Sequence, residues 1–485
     1  MMRFDEQFLQ QVSVKATVVQ GHFPNDMHLS IDTRNLQAGD IFIALQGARV
    51  DGHQFLVDAM KKKAGGLIVA QTKMHTVQAL GSLLHQDTLV IAVEDPLTFL
   101  LHAAAAWRAQ FSYPVIAITG SVGKTSTKQL LATMLTAHRM NFFVSRGNQN
   151  TKIGLALNML AMKTCHEAAI FEVGISKRGE MAELTHLLQP TTGIITGVGH
   201  SHMEGLGTLV DIALEKRDLF KYFTEGSIGI INGDQPLLAQ VAYVHPVIKF
   251  GKKTVNQIQA RKISIDAHST TFMLKIYKEK HMVTVNHVHE GVVFNALAAT
   301  AAAHLLNVPH ETIIEGIKQF NVVQGRFERK PLMHNKGTVI NDCYNANPES
   351  MKAALLAFQR IETKAKKIAV LGDMLELGLT SPFWHRQLGR FLRKVPSLSH
   401  VILVGDMVHW TRKMIPVGVS VEVVATWQDA VKNLENNLSQ DSLVLVKGSN
   451  GVGLSNLVQA ISEPQETHIP VPATNNAHNR VNNQL

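Results

Sequence analysis

The segment ITGSVGKTSTKQLL, residues 118–131, constrains the fold of this chain more than any other. Apolar residues lead into two glycines, a lysine and two hydroxyl residues, after which a helical pattern begins. A strand that runs through a glycine-rich turn into a helix leaves unpaired backbone N–H groups at the helix start, where the helix dipole adds partial positive charge. The segment therefore predicts an anion site between a strand and a helix of an α/β fold.

The residues of the turn favour phosphate as that anion. Gly120 and Gly123 allow close approach of the backbone, and Lys124 adds a positive charge. The hydroxyl of Thr125 can ligate a Mg²⁺ ion that bridges phosphates. Ile118 stands where the usual phosphate loop begins with glycine, so the motif is the shorter G-x-x-G-K-T. A plain strand-to-helix connection is the alternative.

Strand-like and helix-like segments alternate along the 485 residues and predict an α/β protein of three domains. We expect a small N-terminal α/β domain (1–95), a central phosphate-loop domain with a mostly parallel sheet (96–323), a Rossmann-like doubly wound C-terminal domain (324–462) and a disordered tail (463–485). The predicted strands are 41–45, 67–70, 89–93, 115–119, 168–172, 194–198, 228–232, 338–341, 368–371, 401–404 and 443–446. We also predict a helix from residue 96, hairpin-like strands over 263–285 and a helix from Asn295.

Composition narrows the class of ligand and the compartment. The net charge is +9, but the charges are scattered and the densest run, residues 61–63, has no aromatic residues among it. This pattern favours an anionic small-molecule substrate over nucleic acid. The chain has two distant cysteines, no visible signal peptide and no apolar run that could span a bilayer, so we expect a cytoplasmic protein without membrane insertion.

Polar side chains after the central strands supply further candidates. Glu172 ends an apolar strand, where a carboxylate would face the phosphate loop and bind Mg²⁺. His200 and His202 follow the next strand in a glycine-rich loop. The alternatives are an ordinary strand-end glutamate and exposed histidines. The charged residues around Lys216 would by default form a solvated helix face.

The segment INDCYNANPESMKAAL is informative in the third domain. A strand ends at Asp342, and a loop with Tyr344, Asn345 and Asn347 leads into a helix that begins near Pro348. Asparagine-rich loops are often only turns. Amide side chains can also both donate and accept hydrogen bonds, which suits a peptide or a ribose. The glycines of LVKGSNGVGLSNLV fail the G-x-G-x-x-G spacing and do not indicate a dinucleotide site.

The order of the motifs provides a resemblance to a known family. Along the chain stand TGSVGKTST, GNQNTKIG, FEVG, HSHMEGLG, EKRDLF, GRFE, DCYNANPESM and GDMLELG. In this order they resemble the Mur ligases of bacterial peptidoglycan synthesis, and the match runs from about residue 28 to 460. The opening SIDTRNLQAGDIFIALQGARVDGHQF is similar to that family's UDP-binding domain. The motifs YNANPESM and GDMLELG resemble the branch that adds D-alanyl-D-alanine (D-Ala-D-Ala).

The resemblance implies an ATP-dependent ligase, and we expect it to be a monomer that does not bind nucleic acid. ATP would phosphorylate the terminal carboxylate of UDP-N-acetylmuramoyl-tripeptide (UDP-MurNAc-tripeptide), and the amine of D-Ala-D-Ala would attack the acyl phosphate to give an amide and phosphate. Phosphoryl transfer is catalysed mostly by positioning and charge neutralisation, which fits a site of charged groups. Separate domains for ATP, UDP and dipeptide imply closure before chemistry, which shields the acyl phosphate from water.

The resemblance also implies a role for each matching residue. Lys124 would hold the β- and γ-phosphates, Thr125 and Glu172 would bind one Mg²⁺, and His202 would help to bind a second. Lys216 falls where the family carries a carbamylated lysine, whose anionic CO₂ adduct can ligate magnesium where an ammonium would be repelled. The other implied residues are Gly120, Ser121, Val122, Gly123 and Ser126 for the phosphates; Asn295 for adenine, Arg326 for a nucleotide phosphate and Asp342 for the ribose; Ser30, Thr33 and Arg34 for the UDP end; Asn148, Asn150 and Thr151 near the UDP-sugar; and Asn345 and Asn347 for the dipeptide.

Three positions depart from the family pattern. The chain has EGVVFNA, with Gly291 and Val292, where the family commonly has His-Asn before its adenine contact. Asn450 replaces a usual arginine, and Thr151 replaces a frequent asparagine. None of these removes a proposed metal ligand, so we expect an active enzyme. The alternatives are a sister Mur ligase or a folylpolyglutamate synthase, an inactive nucleotide-binding paralogue, and a nucleic-acid-dependent NTPase. The third residue of the tripeptide is not set by the sequence.

Overall fold

Three β-sheets follow one another along the chain in the computed structural model, which describes residues 5–23, 28–47, 50–146 and 150–463. Each sheet is mostly parallel, and helices alternate with its strands. This arrangement confirms the predicted α/β class. Of the predicted tail, only Glu463 is among the described residues.

The first sheet is small. Its strands are β1 (Ala16–Gln20), β2 (Leu29–Ser30), β3 (Ile41–Ile43), β4 (Gly66–Ala70) and β5 (Leu89–Val93), and its helices are α1 (Glu6–Gln11), α2 (Leu56–Lys61) and α3 (Met74–Gln78). The strand order is β1-β5-β4-β3-β2, with β1 antiparallel to β5 and the other neighbours parallel. The sequence did not predict β1, because its side chains alternate between half-buried and exposed and form no apolar run.

Helix α4 (Pro96–Arg108) connects the first sheet to the second, as predicted. Asp95 caps this helix by accepting hydrogen bonds from the N–H groups of Leu97 and Thr98. Pro96 occupies the first turn, where its missing N–H removes no helical hydrogen bond.

The second sheet carries most of the candidate site. Its strands are β6 (Val115–Thr119), β7 (Phe142–Val144), β8 (Ala168–Glu172), β9 (Thr192–Ile195), β10 (Ile228–Asn232), β11 (Val247–Gly251), β12 (Ile258–Ile265), β13 (Thr270–Ile276) and β14 (Glu279–Val285). They lie in the order β14-β13-β12-β11-β10-β9-β6-β8-β7. Neighbours from β7 to β12 are parallel, whereas β12, β13 and β14 pair antiparallel, as the alternating pattern predicts.

Helices of this sheet are α5 (Lys124–Ala137), α6 (Lys152–Leu160), α7 (Glu180–Leu188), α8 (Met203–Leu206), α9 (Leu209–Arg217), α10 (Pro236–Ala239), α11 (Gly291–Leu305) and α12 (His310–Lys318). Several predicted boundaries differ from those of the structure, and two of them lie next to the phosphate loop or its cavities. Helix α11 begins at Gly291 rather than Asn295, because Nδ1 of His289 accepts a hydrogen bond from the N–H of Gly291 and supports an earlier start. Strand β9 ends at Ile195, because the chain then turns toward the phosphate loop, where the hydroxyl of Thr196 donates to a loop carbonyl.

The third sheet is doubly wound, as predicted. Its strands are β15 (Glu328–Pro331), β16 (Gly337–Asn341), β17 (Lys367–Gly372), β18 (Leu398–Val404), β19 (Ser420–Val424) and β20 (Ser442–Lys447). Its helices are α13 (Pro348–Arg360), α14 (Ser381–Phe391), α15 (Val408–Arg412), α16 (Trp427–Asn437) and α17 (Leu454–Ile461). The order is β15-β16-β20-β17-β18-β19, and only the β15–β16 pair is antiparallel among the described strands.

The topology of the second sheet determines where a ligand can bind. Strand β6 lies between β8 and β9, so the sheet grows in opposite directions from it. In a parallel sheet, such a switch point leaves a crevice beyond the carboxyl ends of the strands. The phosphate loop follows β6 at this edge, and Glu172 ends the adjacent strand β8.

In the part of the chain that the structure describes, no helix has the length and apolar character needed to cross a membrane.

Candidate active site

The phosphate loop connects β6 to α5 and requires its two glycines. Gly120 and Gly123 have φ angles of +149° and +87°, in the range that favours glycine. A Cβ atom on Gly123 would clash with Oδ1 of Asn295, and one on Gly120 would clash with the hydroxyl of Thr196. The start of α5 has no side-chain cap, which leaves its first N–H groups available to an anion.

Charged side chains of the loop and of α5 surround one carboxylate. Glu172 is buried, with only 2% of its side chain exposed, and its Oε1 accepts a hydrogen bond from the hydroxyl of Thr125 (3.2 Å). Nζ of Lys128 lies 3.5 Å from Oε2 of the same carboxylate. Nζ of Lys124 donates to the carbonyl of Gly120 (2.9 Å), and burial lowers the pKa of its ammonium. The sequence did not identify Lys128, which stands on the second turn of the helix.

Lys216 lies on α9 and is buried, with a relative exposure of 2%. Burial, followed by the nearby charge of Lys124, lowers the pKa of the Lys216 ammonium to about 7. Because the charge of Lys124 affects the pKa of Lys216, the two amines are close enough to interact electrostatically. The expectation of a solvated helix face is therefore wrong for Lys216, because its amine is buried.

Two histidines in the loop after β9 contact acidic residues of the third sheet. Nδ1 of His202 lies 2.5 Å from Oε2 of Glu376, and the backbone of His202 is left-handed, with φ of +55°. Nδ1 of His200 lies 2.5 Å from Oε1 of Glu349, whose other oxygen accepts the N–H of His200 (3.1 Å). These contacts join the second and third sheets beside the phosphate loop.

A cavity of about 560 Å³, here called cavity A, opens on one side of the loop. It collects predicted residues from separate motifs, and its polar lining includes Lys124, Asn150, Thr151, Glu172, His202, Asn345, Glu376 and Asn450. Asn150 and Thr151 come from the segment predicted near the UDP-sugar. Cavity A therefore brings together Lys124, the buried carboxylate of Glu172 and the residues that the sequence predicts near the substrate.

A second cavity of about 520 Å³, here called cavity B, lies on the other side of the loop. It is more apolar and collects the residues predicted for adenosine. Its lining includes Val122, Gly123, Ser126, His287, His289, Gly291, Val292, Phe294, Asn295, Phe320, Arg326, Phe327, Asp342 and Lys447. Because Gly123 lines cavity B and Lys124 lines cavity A, the phosphate loop forms the boundary between the two.

Arg326 connects the third sheet to the loop. Its Nη2 lies 3.5 Å from the hydroxyl of Thr125, and its guanidinium stacks 3.8 Å from the centre of the Tyr344 ring. Among the described residues, its buried Nε has no hydrogen-bond partner. Burial lowers the pKa of Arg326, and an arginine remains charged at neutral pH. A buried, charged donor without a partner fits an anionic ligand such as a nucleotide phosphate.

Lys447, at the end of β20, is a site residue that the sequence did not reveal. Its Nζ lies 2.8 Å from Oδ2 of Asp342 and donates to the carbonyl of Asn345 (3.0 Å). The other oxygen of Asp342 accepts the N–H of Phe327 (3.1 Å). Asp342 is therefore held in place at the wall of cavity B. The available signal was the lysine of LVKGSN at a strand end, which the search for a dinucleotide fingerprint set aside.

His287 and His289 also escaped the sequence reasoning. Burial, followed by the charge of His289, lowers the pKa of His287 to about 3, and burial lowers the pKa of His289. Each Nδ1 accepts a backbone N–H, which assigns the ring proton to Nε2. Two neutral imidazoles thus line cavity B. The sequence signal that could have found them is two histidines spaced two residues apart, immediately before Gly291 and Val292, where the chain departs from the family pattern.

The remaining predicted residues lie elsewhere. Asn347 caps α13 by accepting the N–H of Ser350 (2.8 Å) and is buried, so its side-chain oxygen has a structural partner. Arg34 pairs with Asp32 at 2.6 Å in the turn that follows β2. The residues predicted for the UDP end, Ser30, Thr33 and Arg34, line neither cavity. Asn148 falls outside the described residues.

Comparisons with protein families give three matches in chain order. The family described as "Mur ligase family, catalytic domain" matches residues 27–108. "Mur ligase middle domain" matches residues 118–303, and "Mur ligase, glutamate ligase domain" matches residues 325–450.

Individual proteins match over most of their length. A UDP-N-acetylmuramoyl-tripeptide–D-alanyl-D-alanine ligase of Bacillus subtilis is 31% identical over 92% of this chain and 97% of its own. The Treponema pallidum protein of that name is 33% identical over 88% and 92%. Among solved structures, MurF from Acinetobacter baumannii is 25% identical, with a TM-score of 0.80 over 95% of this chain and 99% of that one. MurF ligase from Thermotoga maritima in complex with ADP is 25% identical, with a TM-score of 0.75 over 89% and 96%.

Proposed function

Because this chain belongs to the Mur ligase family, we propose that it joins D-Ala-D-Ala to UDP-MurNAc-tripeptide with hydrolysis of ATP to ADP and phosphate. The names of its relatives specify the two substrates that are joined. One observation carries the proposal at the level of chemistry. The phosphate loop lies between a more apolar cavity, lined by Asn295 and Asp342, and a second cavity lined by the buried carboxylate of Glu172 and by Asn150 and Thr151.

ATP binds with its adenosine in cavity B and its phosphates on the loop. Asn295 contacts adenine and Asp342 contacts the ribose. The N–H groups at the start of α5 and the ammonium of Lys124 hold the phosphates, assisted by Gly120, Ser121, Val122, Gly123 and Ser126. Arg326 reaches a phosphate, since its buried Nε lacks a partner and its Nη2 lies near the hydroxyl of Thr125.

The donor set beside the loop fits magnesium. Thr125 and Glu172 offer a hydroxyl and a carboxylate 3.2 Å apart, and oxygen ligands are those that Mg²⁺ prefers. When bound, one or two magnesium ions supply Lewis-acid neutralisation of phosphate charge. His202 is the ligand proposed for a second ion. Its Nδ1 faces Glu376, which leaves Nε2 for the metal and orients the ring as carboxylates orient metal-binding histidines.

Lys216 is proposed to carry a carbamate. With a pKa of about 7, roughly half of its amine is neutral at pH 7. The ammonium first loses one proton. The neutral amine nitrogen then attacks the carbon of CO₂, forms the N–C bond as one C–O π bond opens onto oxygen, and loses a second proton, so that overall a cation becomes an anion. The carbamate is a further oxygen ligand for magnesium, and its charge offsets that of the neighbouring Lys124.

Ligation proceeds in two steps on this frame. An oxygen of the tripeptide's terminal carboxylate attacks the γ-phosphorus, and the bond to the β-phosphate oxygen breaks to give ADP and an acyl phosphate. The amine of D-Ala-D-Ala then attacks the acyl carbon, loses a proton, and releases phosphate as the amide forms. Lys124 and Arg326 neutralise the charge that develops on the phosphates.

The substrate contacts remain proposals from the family motifs. Ser30, Thr33 and Arg34 bind the UDP end, while Asn148, Asn150 and Thr151 lie near the sugar. Asn345 is favoured over Asn347 for the dipeptide, because Asn345 is exposed in cavity A whereas Asn347 is buried as a helix cap. Contacts of His200 and His202 with the third sheet support closure around the acyl phosphate, which limits its hydrolysis.

We further propose a cytoplasmic monomer that does not insert into a membrane or bind nucleic acid, with domain boundaries at 95/96 and 323/324. Scattered positive charge and small-molecule-sized cavities support this proposal.

Mass spectrometry of the product tests the proposed function. Incubation with UDP-MurNAc-tripeptide, D-Ala-D-Ala and ATP should yield a product heavier than the tripeptide substrate by D-Ala-D-Ala minus water, with one phosphate released per product. Lys124→Met should abolish the product, whereas Lys221→Met, which changes an exposed lysine, should retain it. Product from a single amino acid or glutamate would instead identify a sister enzyme. ATP binding without any product would identify an inactive paralogue.

A further inference from the structure

Away from the active site, the edge strand β14 and the start of α12 bring two imidazoles and one carboxylate together. Glu279 and His281 are two residues apart on β14, so they lie on the same side of the sheet. Val283 and Val285 are buried on that side. Helix α12 packs against this strand and begins at His310. Three side chains of types that commonly ligate metals thus converge from two elements.

The distances suit a shared ion. Oε2 of Glu279 lies 2.8 Å from Nδ1 of His310 and 3.6 Å from Nε2 of His281. All three ligand atoms lie within 4.8 Å of one another. Two ligand atoms each about 2.1 Å from a tetrahedral zinc ion are about 3.4 Å apart. Small side-chain adjustments would therefore place all three around one ion.

Two features of the histidines point to a ligand. Nε2 of His281 is buried and has no hydrogen-bond partner among the described residues, an unfavourable state that a metal bond would relieve. Nε2 of His310 lies 3.2 Å from Nδ1 of His304, on the last turn of α11. Such an outer contact fixes the orientation of a metal-binding imidazole through the nitrogen that does not bind the metal.

We propose that Glu279, His281 and His310 form a binding site for a divalent transition-metal ion of the zinc type, with His304 as the orienting partner of His310. Imidazole and carboxylate ligands favour such ions over Mg²⁺ and Ca²⁺. The N-terminus of α12 carries partial positive charge and by itself disfavours a cation, but the negative charge of Glu279 offsets it. Because 62% of the Glu279 side chain is exposed, water can complete the coordination.

The consequence is a metal link between the outermost strand of the second sheet and a helix that covers it. Among the strands that the structure describes, β14 has a partner on one side only. A bond from its ligands to α12 therefore stabilises the edge of the antiparallel part of the sheet. None of Glu279, His281, His304 and His310 lines cavity A or cavity B, so this metal site does not depend on the proposed ligase function.

Zinc binding to the full chain tests the site. The protein is stripped with chelator, returned to buffer with excess magnesium to occupy oxygen-rich sites, and titrated with zinc chloride by calorimetry. Zinc retained after dialysis is measured by mass spectrometry. We expect one zinc per chain and a higher melting temperature with zinc. The double variant His281→Ala/His310→Ala should lose both effects, and His304→Ala should weaken binding about tenfold.

The matched control is His75→Ala/His268→Ala, which removes two exposed histidines from other positions and should bind zinc as the wild type does. If the His281/His310 variant does not fold, Glu279→Gln provides the test, because it keeps the side-chain size and should bind zinc more weakly than the wild type. Ligation with magnesium should be unchanged in all of these variants. Wild-type zinc binding by a folded double variant or by Glu279→Gln, or the absence of zinc binding by the wild type, would overturn the proposal.

Discussion

Replacing Lys216 with methionine should make the metal-free protein more stable while it abolishes ligation. Lys216 is 2% exposed, and burial and the charge of Lys124 lower its pKa to about 7. A lysine in an unfolded chain has a pKa of about 10.4, and each pH unit corresponds to about 1.4 kcal/mol. The buried amine therefore costs about 4 kcal/mol of folding free energy at pH 7, which an uncharged side chain of similar length does not incur.

The sign of this effect sets its pH dependence. Between pH 7 and about 10.4 the unfolded chain binds more protons at this position than the folded chain, so the cost is largest below pH 7 and declines as the pH rises. Lys216→Met should exceed the wild type in unfolding free energy by up to about 4 kcal/mol at pH 7 and by much less near pH 10. Guanidinium unfolding followed by circular dichroism measures this difference, in buffer without nucleotide, magnesium or bicarbonate.

Activity provides the second measurement. If the carbamate of Lys216 is a metal ligand, the kcat of Lys216→Met should fall at least about a hundredfold, while its affinity for ATP changes much less. Lys221→Met is the matched control, since Lys221 is exposed nearby, and its stability should stay within about 0.5 kcal/mol of the wild type. A Lys216→Met variant no more stable than Lys221→Met would refute the argument from burial. Ligation at the wild-type rate would refute the proposed role in metal binding.

Three further substitutions test the nucleotide site. Gly123→Ala should weaken ATP binding at least about tenfold in calorimetry, because φ of +87° and the clash with Oδ1 of Asn295 leave no room for a methyl group; wild-type affinity would contradict this. Arg326→Ala should raise the KM for ATP about tenfold or more, through loss of a charged hydrogen bond to phosphate, and an unchanged KM would remove Arg326 from the nucleotide site. Lys447→Met removes the partner 2.8 Å from Asp342 and should lower the free energy of unfolding by about 3 kcal/mol in guanidinium titration, whereas no change would show that the pair does not stabilise the fold.

Features that depend on a short segment could be predicted from the sequence. The phosphate loop, its flanking strand and helix and the cap of α4 each follow from residues that are close along the chain. Asn347 is a local feature of this kind that our sequence analysis missed. An asparagine followed by Pro348 and, three positions on, by Ser350 has the pattern of a helix N-cap, and this local role is what the structure shows.

Features that depend on strand order could not be predicted. Lys447 and Asp342 are 105 residues apart, and they meet only because β20 pairs in parallel with β16. Nothing in the sequence of either segment specifies that neighbour. The burial of Lys216 has the same origin, since the charged residues around it are typical of an exposed helix, and only the packing of α9 makes one of them inaccessible.

The balance of charge at the phosphate loop explains why this arrangement requires its ligands. Lys124 and Lys128 lie near the buried carboxylate of Glu172, Arg326 lies near Glu172 and Asp342, and burial lowers the pKa of each of the three cations. Positive charge that is removed from water without enough negative charge is destabilising. A bound triphosphate supplies the missing negative charge where N–H groups and cations converge, so the same electrostatics that weaken the empty fold strengthen nucleotide binding. Neutralising Glu172, as in Glu172→Gln, would increase the imbalance in the empty protein. In guanidinium titration without magnesium, its free energy of unfolding should therefore fall more in the absence of ATP than in its presence, and an equal loss in both conditions would contradict this argument.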